Sequence, residues 1–111
     1  MMEKPGTVAN LEEVLAVPGV DMVQWGSSDY SLGVGRAGER RSPEIKAIER
    51  RVFETALKMG VPPCAEISSA DEGKEYLDMG VRHFCLGTDI NIPYNWCLQH
   101  GDALRTALLG A

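Results

Sequence analysis

The run KMGVPPCAEISSADEGKEYLDMGVRHFCLG, residues 58–87, decides the fold class. Gly60 closes one helical pattern, the apolar run Cys64-Ala65-Glu66-Ile67 follows, and Ser69-Ala70-Asp71-Glu72 opens a second helix with capping-box spacing. Tyr76, Leu77 and Met79 carry that helix to Gly80, after which Val81 leads into Phe84-Cys85-Leu86. A strand, a helical crossover and a second strand form a right-handed βαβ unit, so the two strands are parallel.

The same punctuation extends outward in both directions. Pro18-Gly19-Val20 ends a shorter helix that starts near Thr7 and carries Leu11, Val14 and Leu15, and Met22-Val23-Gln24-Trp25 is the strand it feeds. Ser42 is an N-cap with Pro43 at the first helical position, and Ile45, Ile48, Val52, Ala56 and Met59 then recur every three or four residues. A last helix surrounds Ala103, Leu104, Ala107 and Leu108, and Met1-Met2 reads as the end of a fourth strand. Mostly apolar strands alternating with helices imply an α/β architecture with a parallel sheet covered by helices. Four βα units in 111 residues amount to about half of a typical ~250-residue (β/α)₈ barrel, and the first strand is cut short at the chain start. A doubly wound sheet is the alternative, but it would open on a full apolar strand.

Composition narrows the function classes. With 44% hydrophobic and 24% charged residues the chain is ordinary globular material, and one domain fits its length. A net charge of −5 opposes a nucleic-acid partner. No apolar stretch approaches a membrane span and no secretory leader is legible, so the expected location is cytoplasmic. Cys64, Cys85 and Cys97 lack CxxC spacing and read as reduced thiols; His83 and Cys85 could share a sheet face with Cys64 and form a zinc site if the fold brings them together, although core filling is the commoner role for such cysteines.

In parallel α/β folds, functional groups collect beyond the carboxyl ends of strands. Glu3 follows Met1-Met2, Gly26-Ser27-Ser28-Asp29 follows Trp25, Ser68-Ser69 follows Ile67, and Gly87-Thr88-Asp89 follows Leu86. Glu3 and Asp29 are either a carboxylate pair for a hard divalent cation or a frayed terminal acid beside an ordinary loop acid. Gly26, Ser27 and Ser28 are either an anion-binding strand end with open backbone N–H groups or a serine-rich turn. Gly33-Val34-Gly35-Arg36-Ala37-Gly38 spells a dinucleotide pattern but does not follow a strand directly, so a mobile glycine loop explains it better; Arg36, Arg40 and Arg41 either steer an anionic substrate or, the simpler reading, are solvated surface charges. Glu66 is either a polar interior group or the partner of a basic side chain such as Arg82. His83 precedes its strand and His100 lies among C-terminal helical residues, so neither stands as a general base.

The segments Met2-Glu3, Asn10 to Asp21, and Val23 to Ser31 with its Gln24-Trp25-Gly26-Ser27-Ser28-Asp29 core resemble the HpcH/HpaI aldolase family. Gly60-Val61, Tyr76-Leu77-Asp78-Met79-Gly80 and Phe84-Cys85-Leu86-Gly87-Thr88-Asp89 continue the resemblance in order. It implies that residues 1–111 form a single partial-barrel domain, the C-terminal half of a TIM barrel carrying strands five to eight. It also implies that Glu3 and Asp29 hold Mg²⁺, Mn²⁺ or Co²⁺, with Gly26, Ser27, Ser28 and Asp29 around a pyruvate-type 2-oxo acid. The implied reaction is retro-aldol cleavage of a 4-hydroxy-2-oxo acid through a metal-stabilised enolate. The family commonly has a proline and a small residue where Ser27 and Ser28 stand, and its catalytic histidine and arginine belong to the other barrel half. No catalytic residue is therefore assignable by motif. An open half-barrel is expected to be completed by self-association or by a complementary chain. The competing readings are a non-catalytic metal- or keto-acid-binding module and a structural partner.

Overall fold

A computed structural model describes residues 1–110. Three strands, β1 (Val23–Gln24), β2 (Pro63–Ile67) and β3 (His83–Leu86), form a parallel sheet in the order β1-β2-β3. Val23 stands opposite Pro63, and Cys64 to Ile67 stand opposite His83 to Leu86. A parallel bridge between Met2 and Trp25 adds a fourth chain segment at the β1 edge. Spatial order thus equals sequence order with no reversal, which is the winding of a barrel wall and not of a doubly wound sheet.

Six helices accompany the sheet. α1 (Pro5–Ala9) and α2 (Leu11–Leu15) replace the single helix expected from Thr7. Asn10 separates them because its backbone N–H and its side-chain amide both donate to the Gly6 carbonyl, ending α1 there. α3 (Ser27–Gly33) replaces the serine-rich turn, one of two readings of Gly26-Ser27-Ser28: the chain enters a helix just after the strand end. α4 (Pro43–Lys58) begins as expected, with the Ser42 hydroxyl accepting from the Ile45 N–H. α5 (Ala70–Met79) is capped by Ser69, whose hydroxyl accepts from the Glu72 N–H, and ends at Gly80 with φ of 102°, a left-handed conformation that favours glycine.

The core lies between the sheet and one layer of helices. Val23, Trp25 and Ala65 point outward from the sheet toward Leu11, Leu15, Val52, Phe53 and Ala56. The other sheet face carries Gln24, Glu66 and Cys85, of which Glu66 and Cys85 are exposed, as the inner face of an incomplete barrel would be. α6 (Asn91–Leu109) is far longer than the segment expected around Ala103–Leu108, and among the described residues none of its side chains is buried. It accounts for the long 59 Å axis against 30 and 23 Å, and for a radius of gyration of 17.4 Å where about 13 Å suits a compact chain of this length.

Candidate functional site at the carboxyl ends of the strands

The Met2–Trp25 bridge aligns the first chain segment with β1, because the Met2 N–H donates to the Gln24 carbonyl and the Gly26 N–H donates to the Met2 carbonyl at 2.9 Å. This register delivers Glu3 beside Gly26. A Cβ at position 26 would stand 2.8 Å from Glu3 Cβ and 3.2 Å from Glu3 Oε2, so only glycine leaves room for the carboxylate there. Lys4 Nζ is 3.9 Å from Glu3 Oε1, an exposed contact that leaves the other oxygen open.

Asp29 sits in the first turn of α3, where the helix itself cannot use the N–H groups of Ser27, Ser28 and Asp29. Ser31 Oγ donates to the Ser28 carbonyl at 2.8 Å, and Tyr30 stacks against Trp25 at 4.9 Å, pinning α3 to the strand end. The residues read from sequence as two alternatives are therefore brought to one end of the sheet. Their donors are hard oxygens, the chemistry suited to Mg²⁺ or Mn²⁺, and the bare backbone at position 26 leaves the Glu3 side chain its space. Among the described residues no three His, Cys, Asp or Glu side chains converge as a metal site.

A cleft of about 440 Å³ opens at the same end, between Trp25 and Ser27 on one side and Glu66, Ser68 and Thr88 on the other. Its floor is a polar cluster that sequence reasoning missed. Lys46 Nζ donates to Glu49 Oε2 at 2.5 Å and also contacts the Tyr76 hydroxyl, which in turn donates to Glu49 at 3.1 Å. Burial pushes the Tyr76 hydroxyl up to about 12. Burial pulls the Lys46 ammonium down, but its bonds to Glu49 and Tyr76 outweigh that and raise it. The signal was present: Glu49 falls four residues after Ile45 in the stripe that continues at Val52, Phe53 and Ala56. The Trp25 indole N–H, beside the cleft, is buried without a hydrogen-bond partner.

Other expectations resolve locally. Glu66 does not meet Arg82; it accepts from Gln24 Nε2 at 2.6 Å, while Arg82 donates to the carbonyls of Leu77 and Val81. Arg36 is tied to Glu39 and Glu44, and Arg41 faces Glu72 at 3.7 Å. The Gly33–Gly38 segment joins α3 to α4 and follows no strand directly. His83 opens β3, at the end opposite Glu3, and His100 stacks on Trp96 in α6. Among the described residues no helix is long and apolar enough to cross a membrane.

Comparison with known proteins gives a single direction. The chain is 35% identical over 92 residues to a hydroxypyruvate/pyruvate aldolase of Delftia acidovorans, covering 82% of this chain and 34% of that protein. It is 29% identical over 104 residues to a 5-keto-4-deoxy-D-glucarate aldolase of Klebsiella pneumoniae, covering 94% and 41%, respectively. A 4-hydroxy-2-oxo-heptane-1,7-dioate aldolase of Escherichia coli is 30% identical over 91 residues, 82% of this chain and 35% of that one. The chain thus spans between a third and about two fifths of these relatives. The same fold occurs in the crystal structure of an HpcH/HpaI aldolase from Desulfitobacterium hafniense, with a TM-score of 0.84 at 21% identity over 93% of this chain and 40% of that one. It occurs also in the citrate synthase SbnG, with a TM-score of 0.87 at 23% identity over 100% and 45%. The parallel wall seen here is that part of the (β/α)₈ barrel of these proteins. The sequence profile for HpcH/HpaI aldolase/citrate lyase matches residues 1–93, and the chain belongs to that family.

Proposed function

We propose that this chain supplies strands five to eight of a divalent-metal-dependent lyase that cleaves a 4-hydroxy-2-oxo acid to pyruvate and an aldehyde. The observation that carries the reading is the placement of Glu3 against Gly26, one strand end away from Asp29 in the first turn of α3. Glu3 and Asp29 would hold the ion. A bound Mg²⁺, Mn²⁺ or Co²⁺ would supply Lewis-acid polarisation of the oxo acid's oxygens.

The chain's own backbone would hold the substrate. Backbone N–H groups of Ser28 and Asp29, unused by α3, would donate to the substrate carboxylate, with Gly26 and Ser27 leaving space for it. The proton-transferring base and the charge-stabilising arginine would come from the rest of the barrel, since His83 and His100 lie away from this rim. Exposed Leu86 on the sheet, together with Trp96 and Leu104 on α6, supports completion by a second copy or a complementary chain. The distance of both histidines from the rim also favours a second reading, a module that binds metal and keto acid without turnover.

Pyruvate release from 4-hydroxy-2-oxo acids, assayed with added Mn²⁺, tests the proposal. Turnover should vanish on chelation and in Glu3→Gln and Asp29→Asn, with Mn²⁺ binding lost in parallel. Mn²⁺ and pyruvate binding without release would favour the module, and release that survives both substitutions would overturn the assignment.

A further inference from the structure

The sheet face that looks into the barrel carries two thiols and a carboxylate, apart from Glu3 and Asp29 at the strand ends. Side chains alternate along strands, and the register sets Cys64 opposite His83 and Glu66 opposite Cys85, so these residues share the face that also bears Gln24, the neighbour of Cys64 on β1. The two thiols touch: Cys64 Sγ lies 3.8 Å from Cys85 Sγ. Gln24 Nε2 lies 3.8 Å from Cys85 Sγ and donates to Glu66 Oε1, which keeps the carboxylate next to the sulfur pair.

We propose that Cys64 and Cys85 form a bidentate site for a thiophilic divalent cation of the Zn²⁺ class, with the Glu66 carboxylate or solvent completing its shell. Two sulfurs each bonded at ~2.3 Å to one tetrahedral ion stand roughly 3.8 Å apart, the separation these thiols already have, so no backbone need move. A disulfide is the poorer fit. The cysteines are offset by two residues on adjacent parallel strands, and closing to a ~2 Å bond from that offset requires the strands to shift. Binding balances as one dication taken up and two thiol protons released to buffer. Burial, with the neighbouring Cys85 thiol, pushes Cys64 up to about 11, so the dication's charge is what makes a thiolate favourable there. Among the described residues no third ligand already points at the pair, and Glu66 would reach it by turning from Gln24. The sulfur donors select against the hard ions suited to Glu3 and Asp29, so the two sites are chemically separate.

Cadmium titration of the reduced protein, followed by the ultraviolet sulfur-to-cadmium charge-transfer absorption, tests this directly. One Cd²⁺ per chain should give the band and Zn²⁺ should displace it. Cys85→Ser and Cys64→Ser should each abolish it, while Cys97→Ser and Glu3→Gln leave it unchanged, which separates this site from the proposed aldolase centre. Circular dichroism establishes that each variant is folded, and the exposed Cys85 provides the decisive substitution should buried Cys64 prove intolerant. A band retained in folded Cys85→Ser, lost in Cys97→Ser, or absent at equimolar Cd²⁺ would overturn the proposal.

Discussion

Replacing Gly26 by alanine examines the strand-end geometry through a single methyl group. The backbone at Gly26 has φ of −106°, outside the left-handed region that favours glycine, so the main cost comes from contact. The new Cβ would lie 2.8 Å from Glu3 Cβ and 3.0 Å from Met1 Sδ. Carbon atoms rest at about 3.5–4.0 Å, so Glu3 must retreat by roughly 0.7–1.2 Å while the Gly26 N–H to Met2 carbonyl bond resists the separation. Overpacking of this size costs about 1–3 kcal/mol, or about 4–12 °C of melting temperature in a chain this long. An ion held by bonds of about 2.0–2.2 Å cannot follow a ligand displaced that far, so Mn²⁺ affinity should fall by about tenfold or more. Thermal melts and Mn²⁺ titration calorimetry read the two effects separately. Gly6→Ala serves as the control, since a Cβ there meets nothing within 4 Å. A Gly26→Ala protein that melts with the wild type and binds Mn²⁺ equally well would refute the claim that glycine makes room for Glu3.

Three further outcomes follow from local packing. Glu49→Ala removes the acceptor shared by Lys46 and Tyr76; because Lys46 is only half-buried and can rehydrate, the loss should be about 2 kcal/mol in urea unfolding, below the 3–5 of a fully buried pair. Glu72→Ala removes the carboxylate that accepts from the Ser68 N–H at 2.7 Å, costing about 1 kcal/mol at pH 7. That bond, ahead of the charge of Arg41, holds Glu72 below its usual 4.5, so its contribution is complete above that pH and fades as pH falls through the depressed value; wild type and variant should converge in acid melts. Gly101→Ala, inside α6 with nothing within 4 Å of the new methyl, should add up to about 1 kcal/mol by raising helix propensity, read as a higher melting temperature.

What was legible in the sequence was whatever chain-local chemistry fixes. Ser42 and Ser69 announce helix starts because their hydroxyls take the first free N–H groups, and Gly60 and Gly80 announce stops because both adopt positive φ. α3 was illegible for the opposite reason: its Ser-Ser-Asp opening has turn composition, and it is held as a helix by Tyr30 on Trp25 and by buried Ser31, contacts made only after folding. α6 runs well past the segment around Ala103–Leu108 even though it contains Pro93 and Gly101. Pro93 is its third residue, where the missing N–H costs nothing, and Gly101 merely weakens a helix that already runs.

The site divides along the same line. The position of Glu3 and Asp29 beyond the carboxyl ends of their strand segments was readable from chain order alone, and the same reading set His83 at the opposite end. Partner choice was not readable, because it depends on which strands neighbour each other. Glu66 could be assigned to Arg82 only while the sheet order was unknown; once β1 lies beside β2, Gln24 is the nearer donor and Arg82 is drawn to the end of α5. The Cys64–Cys85 contact has the same origin. Two thiols separated by twenty-one positions meet through the register of β2 and β3, and a one-residue slip would turn one of them to the helix side. Register is fixed by Ala65 and Phe84, which alternate with these residues and face the helix layer, so the apolar face of the sheet dictates which polar groups meet on the other.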